Sequence, residues 1–264
     1  MSRKKQKQTS ETFILGALLA LSGGFQDAYT YNVRDKVFSN AQTGNVVLMS
    51  QHFMTGDFAV ALQYLFPILA FAGGVFVADR LHQHFQNSRR FHWRQIVVLW
   101  EILILLMVGF IPTTYNMIAT MLVSFSCSMQ VQAFRKINGY GYASTMCIGN
   151  LRSGTEALSV YLRSKNKDQF IKMIHYYGII LVFALGAGLG GVASRYIGIS
   201  AIWSCAVLLT IYPYVQREDI KKQGVFSPCF FIIPVLIRFL HRTHCTVHPS
   251  AHQYILLGRT ENSH

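Results

Sequence analysis

Charge is what this sequence has least of. Lys, Arg, Asp and Glu make up 13% of its 264 residues, about half the usual share of a soluble domain. A soluble helical core puts a charged face on each helix, and so few charges cannot supply one. Acidic residues are the scarcer sign, 11 against 24 basic, for a net charge of +13. Cysteine is sparse too, five in all. Cys127, Cys147 and Cys205 fall in or near apolar runs, and Cys229 and Cys245 lie in the tail. That spacing suggests no disulfide frame, and a buried Cys acts as a small hydrophobe. Several chemical signatures are missing: a phosphate-cradling glycine loop, His-Glu-x-x-His, and a serine nucleophile elbow. No basic groove with interleaved aromatics occurs either, so the positive charge does not point to nucleic acid.

Long apolar runs are what the chain does have. A membrane helix needs about 20 mostly apolar residues to cross ~30 Å of hydrocarbon. Six stretches qualify, roughly 13–31, 58–79, 95–111, 115–134, 171–193 and 197–215. Arg3-Lys4-Lys5-Gln6-Lys7 before the first resembles a secretory signal. The run lacks a small-x-small cleavage site and continues to Tyr31, so it reads as a span. Pro67 and Pro213 lie in or near spans, which neighbouring helices tolerate. The short link Pro112-Thr113-Thr114 implies an antiparallel pair. Basic residues alternate strongly between loops: one side holds 18, the other Arg34, Lys36 and Arg195, and the tail the rest. This asymmetry predicts a multi-pass protein of the cell (inner) membrane with a cytoplasmic N-terminus.

The runs also repeat. Ser39-Asn40-Ala41-Gln42-Thr43-Gly44-Asn45-Val46 is echoed 105 residues later by Ser144-Thr145-Met146-Cys147-Ile148-Gly149-Asn150-Leu151. Ala72-Gly73 and Val77-Ala78-Asp79-Arg80 match Ala187-Gly188 and Val192-Ala193-Ser194-Arg195 at offset 115. The extra ten residues are expected in a polar loop around Ser164–Lys172. Three spans per copy is odd, so the second copy enters from the opposite face, an inverted repeat common among transporters. The expected division is a basic tail, 1–11; a six-helix membrane domain, 12–218, with repeats 12–111 and 115–218; and a basic tail, 219–264. Within the last, Val225–Leu240 is too short and too broken by Pro228, Pro234 and Arg238 for a seventh span, and reads as interfacial. Small residues at four-residue spacing (Gly16, Ala20, Gly24; Ala70, Gly74, Ala78; Gly186, Gly190, Ser194) are read as helix-packing ridges.

Asp27 is the candidate with most chemistry. It lies about 21 Å along the helix from Phe13, inside the apolar slab. Charges there face a protein interior or a water cavity, so function is the default reading. The alternative is a place near the outer interface, paired with Arg34 or Lys36. Gln132 is its counterpart in the second copy, with Gln26 and Gln130 nearby, and the repeat is expected to bring both groups to one central region. Thr43-Gly44-Asn45 and Ile148-Gly149-Asn150 precede helix-prone runs, where free N–H groups and Asn amides could hold a polar solute. Plain turns and helix caps are the alternative. The run after Gly149 has an apolar stripe (Ile148, Leu151, Thr155, Leu158, Leu162) opposite Arg152, Glu156 and Arg163, as on a surface helix. The first copy is more apolar and could re-enter the membrane. Glu101 is expected to pair with a basic residue at the cytoplasmic edge, Arg94 being two turns away, with a proton relay as the alternative. His241, His244, Cys245, His248 and His252 have ligand-like spacing but no paired frame, so no metal site is assigned.

Gly23-Gly24-Phe25-Gln26-Asp27-Ala28-Tyr29, followed by Phe38-Ser39-Asn40-Ala41-Gln42-Thr43-Gly44-Asn45, resembles the YoaK-like family of multi-pass membrane proteins. The resemblance covers about residues 12 to 218. It implies a bacterial-type inner membrane protein, and it implies no substrate and no active residue.

The sequence therefore predicts an all-α polytopic membrane protein, six transmembrane helices as two inverted-topology three-helix repeats. The leading function is a small-solute transporter or channel. Gln26, Asp27, Asn40, Thr43, Gly44, Asn45, Gln130, Gln132, Gly149 and Asn150 are its candidate path. The alternative is a membrane interaction or assembly protein without a pathway. An enzyme is not expected, because Asp27 and Glu101 are placed near opposite faces. No cofactor and no metal are expected. Expected partners are the lipid bilayer and a small solute, with no nucleic acid, and a homo-oligomer is compatible.

Overall fold

The computed structural model describes residues 13–85, 93–137, 140–142 and 144–212. The basic N-terminus, Arg89 and Arg90, the stretch 225–240 and the histidines of the tail lie outside the described residues. An apolar run away from water must satisfy its own N–H and C=O groups, and each of the six apolar stretches is helical over its described part. In order the helices are α1 (Phe13–Val33), α2 (Gln42–Thr55), α3 (Phe58–Phe85), α4 (Trp93–Val108), α5 (Asn116–Ala133), α6 (Cys147–Ser164), α7 (Lys167–Ile197) and α8 (Trp203–Leu209). Short 3₁₀ turns, Thr113–Tyr115 and Gly198–Ile202, lead into α5 and α8. Between α5 and α6 a two-residue antiparallel ladder pairs Lys136 with Gly141 and Ile137 with Tyr140.

The helix ends follow from local chemistry. Gly56 closes α2 in the left-handed region (φ 85°), donating its N–H to the Phe53 carbonyl. Asn166 opens α7, its side chain accepting from the Asp168 N–H at 2.8 Å. The expected polar loop around Ser164–Lys172 is instead almost wholly helical. Only Lys165 and Asn166 separate α6 from α7. The inserted residues lengthen α6 to 18 residues, against 14 in α2, and start α7 ahead of the position that matches Phe58. A run of Lys, Asn, Asp and Gln reads as loop by composition, but the Asn166 cap lets it open a helix.

Packing runs through small residues. α1 packs on α7 and α3 on α5; α2 lies on α3 and α6 on α7; α4 packs against α5 and α8, and α8 against α1. At the α1–α7 crossing a Cβ on Gly24 would fall 2.1 Å from the Phe183 carbonyl oxygen, and one on Gly186 equally close to that of Leu21. At the α3–α5 crossing a Cβ on Gly74 would meet Ser128 Oγ at 2.0 Å. Hydrogen alone fits these contacts, which is how backbones come this close without a hydrophobic drive between helices.

The distribution of polarity is inverted relative to a water-soluble fold. Ser22, Gln26, Asp27, Glu101, Ser124 and Gln130 are buried, while Phe76, Leu181, Leu185 and Leu189 face outward. Among the described residues, α3 and the run Lys167–Leu209 are long and apolar enough to cross a membrane. In each apolar window only 22% of residues are buried inside the protein, so most of that surface is not core.

Candidate functional site

The chain leaving α1 turns at Asp35 and Lys36, both left-handed (φ 55° and 61°), and doubles back along the helix it has just left. That return brings Ser39 and Asn40 onto Asp27. The Asp27 Oδ1 accepts from the Ser39 hydroxyl at 3.0 Å and from the Asn40 N–H at 2.7 Å. Asn40 Nδ2 reaches further down α1 and donates to the Gly23 carbonyl at 3.2 Å. Gly23 is near the middle of α1, so the loop penetrates to half the helix's depth. Asp27 is therefore buried on the inner face and held by this loop, not by Arg34 or Lys36.

Asn45 makes the return possible. Its Oδ1 accepts from the Phe38 N–H at 3.1 Å, and its Nδ2 donates to the Phe38 carbonyl at 2.7 Å and to Gln42 Oε1 at 2.9 Å. One amide thus satisfies both backbone groups of a residue that no helix or sheet serves. Gly44 packs under the Phe38 ring at 3.3 Å from where a Cβ would sit, and Thr43 is exposed.

The second copy approaches from another direction. Thr145 lies against Gly23: its Cγ2 is 2.5 Å from where a Cβ would be. Next to it, Ser144 pairs with Gln130 at 3.1 Å. Asn150 is buried and Gly149 exposed with open space around it. α6 then turns its small and polar face inward, Asn150, Gly154 and Ala157, while Ile148 is 82% exposed. Cys147, in the first turn of α6, is close enough to register Asp27: burial, and then that carboxylate, push its thiol above the ordinary range.

Around this meeting point lies a continuous buried polar cluster. Gln26 Nε2 donates to Ser22 Oγ at 2.9 Å and to Glu101 Oε1 at 3.0 Å, and Gln26 Oε1 accepts from the Cys127 thiol at 2.6 Å. Oriented with its nitrogen toward acceptors, Gln130 donates to both Glu101 oxygens at 2.8 and 3.0 Å. Glu101 takes these bonds from amides, not from a basic residue at the helix edge. Arg94 instead donates its Nε–H to the Ala133 carbonyl at 3.1 Å. The expectation that Asp27 and Glu101 sit near opposite faces is overturned, because Gln26 beside Asp27 bonds Glu101 directly.

Gln132 does not join the cluster. It is half-buried, accepts from Arg135, and lines a pocket of about 210 Å³ with Asp79, His82, Trp93, Arg94 and Lys136. Two residues along a helix is about 200° of rotation, so Gln130 and Gln132 face different neighbours. A second pocket, about 400 Å³, opens beside the start of α5, lined by Arg34, Asp35, Gln63, Asn116 and Thr120. The two pockets flank opposite ends of α5.

Sequence reasoning missed Ser22, Ser39, Ser144, Thr145 and Cys127 as members of the cluster. For Ser39, Ser144 and Thr145 the signal existed: all three sit in the repeated strings. It also missed Arg34, which is wholly buried. Its guanidinium donates to Tyr29 Oη, Asn116 Oδ1 and the Val108 carbonyl, each at 3.0 Å. Asn116 in turn donates to Asp35 at 2.8 Å.

No curated protein and no solved structure matches the chain. Residues 15–215, which hold both loops and every residue of the buried cluster, match the profile of the family described as protein of unknown function (DUF1275), and the chain belongs to that family.

Proposed function

We propose that this chain is a multi-pass membrane protein of six spans in two inverted three-helix repeats, and that it carries a small solute along the buried polar cluster between them. The observation that carries the reading is the meeting of two repeat-related loops at mid-helix: Asn40 and Thr145, 105 residues apart, both lie against Gly23. Non-helical backbone at membrane depth is tolerated where it is buried or lines a cavity, and helix breaks at the midplane are where transporters bind their cargo. The packing supports the repeat. Exchanging α1 with α5, α2 with α6, α3 with α7 and α4 with α8 turns the α1–α7 pair into α3–α5, α2–α3 into α6–α7, and α4–α5 into α1–α8. The larger helix–helix contacts map onto one another. The cytoplasmic N-terminus and inner-membrane location rest on the distribution of basic residues. Asp27 is assigned to cation or proton handling, and Gln26 and Gln130 to the wall of the path. No catalytic role is assigned, because Asp27 and Glu101 are each engaged by donors of the cluster itself.

The test is flux in proteoliposomes across a panel of small polar solutes. Asp27→Asn is expected to change the rate or its pH dependence while the protein still expresses and elutes as a single species. Unchanged flux removes Asp27 from the mechanism. A second reading, an assembly protein without a path, draws on the mutual satisfaction of Gln26, Glu101 and Gln130. Cys127 separates the two. With the other native cysteines replaced, transport requires that small aqueous thiol reagents reach Cys127 and that solute alters its labelling. A Cys127 that stays inert until the protein unfolds favours assembly.

A further inference from the structure

Two buried oxygens near the loop crossing have no hydrogen-bond partner among the described residues: Asn40 Oδ1 and Thr145 Oγ1. Asn40 is 4% and Thr145 6% exposed. A buried polar oxygen without a partner calls for an explanation. These two share three properties that chance placement would not give them. They are repeat mates, 105 residues apart. Each stands just before a helix start, α2 and α6. Both lie against the same residue, since a Cβ on Gly23 would be 2.5 Å from Thr145 Cγ2 and 3.9 Å from Asn40 Nδ2.

We infer that Asn40, Thr145 and Asp27 form a binding site for a monovalent cation of sodium's size, across Gly23 at the junction of the two repeats. The donor set is all oxygen, which a hard cation prefers. The Asn40 nitrogen is already spent on the Gly23 carbonyl and Ser39, which leaves its oxygen as the ligand. Asp27, one helical turn beyond Gly23, supplies a single negative charge. Among the described residues it is held by the Ser39 hydroxyl and backbone N–H groups of the same loop, and by no basic side chain. The carboxylate of Glu101 is occupied by Gln26 and Gln130. One carboxylate with two neutral oxygens matches a single positive charge. Gly23 is the position that lets Thr145 come this near the α1 backbone. The site itself stands on this geometry, and only its use as a coupling site rests on the transport reading.

The experiment is equilibrium binding of radioactive sodium to the purified full-length protein in detergent, with choline replacing sodium at constant ionic strength. Saturable binding with one site per chain is expected, displaced by excess unlabelled sodium. Thr145→Val, which keeps shape and removes the oxygen, should weaken binding at least about tenfold, and Thr145→Ser should restore it. No saturable signal above the choline background in folded wild-type protein overturns the site, as does unchanged affinity in Thr145→Val. The wild-type measurement decides even where a variant fails to fold. Sodium binding without flux of any solute leaves the site and removes transport; flux without sodium binding removes the site and leaves transport.

Discussion

Arg34 is a buried cation whose direct partners are all neutral. It fastens three elements at one point: the end of α1 through Tyr29, the last carbonyl of α4 through Val108, and the first residue of α5 through Asn116. A cation at the C-terminal end of α4 also meets its negative dipole end. Arg34→Met takes the donor from Asn116 Oδ1 and leaves the Val108 carbonyl only the Ile111 N–H, at the wall of the pocket beside α5. A loss of about 3 kcal/mol is expected, read as a fall of roughly 6–12 °C in the thermal midpoint in detergent. Arg34→Lys keeps the charge but loses the planar fork, so it should fall between the two. A midpoint unmoved by Arg34→Met would assign the clamp no energetic weight. The sequence could not show this role, because a lone Arg just past an apolar run reads as a loop charge. Asp27 was legible for the opposite reason: an acidic residue inside an apolar run is expensive unless something holds it. What held it was not legible. A helical register places Glu101, Gln130 and Gln132 around their own axes but does not say which neighbour each face meets.

At the scale of helices, hydrophobic run length carried most of the information, since an apolar segment has few ways to satisfy its backbone other than by coiling. Boundaries were harder where polar residues form helices, as in the start of α7. The glycine ridges were legible as ridges, yet their partners came only from the fold. Neighbouring glycines on α7 now separate close approach from mere propensity. A methyl at Gly186 would sit 2.1 Å from the Leu21 carbonyl oxygen, whereas one at Gly188 meets nothing within 4 Å. Gly186→Ala should therefore force α1 and α7 apart and lower stability by about 2 kcal/mol or more. Gly188→Ala should be neutral, or stabilising by up to ~1 kcal/mol through helix propensity. Thermal midpoints of the two single variants, measured side by side in one detergent, check this. Equal effects would mean that the α1–α7 crossing can relax at no cost.

For the molecule as a whole, the decisive property is which end of each helix faces which side. The exchange of halves that preserves the packing makes a definite demand. In the proposed six-span topology, loops that correspond in the two copies lie on opposite sides of the bilayer, because three spans separate them. The α2–α3 turn, Gly56–Asp57, corresponds to the α6–α7 turn, Lys165–Asn166. The proposed orientation puts the second in the cytoplasm, since Arg163, Lys165, Lys167 and Lys172 cluster there and basic residues are retained on that side. In a variant stripped of its native cysteines, Asp57→Cys should then react with a membrane-impermeant thiol reagent in intact cells. Asn166→Cys should react only after the membrane is opened. Thr113→Cys, in the link between the halves, should behave like Asp57→Cys, because it follows the third span as Asp57 follows the first. Labelling of Asp57→Cys and Asn166→Cys from the same side would leave the two halves parallel. The loops would then lose the proposed symmetry that brings Asn40 and Thr145 to one residue, and the path proposed between them would have no reason to open alternately to each side.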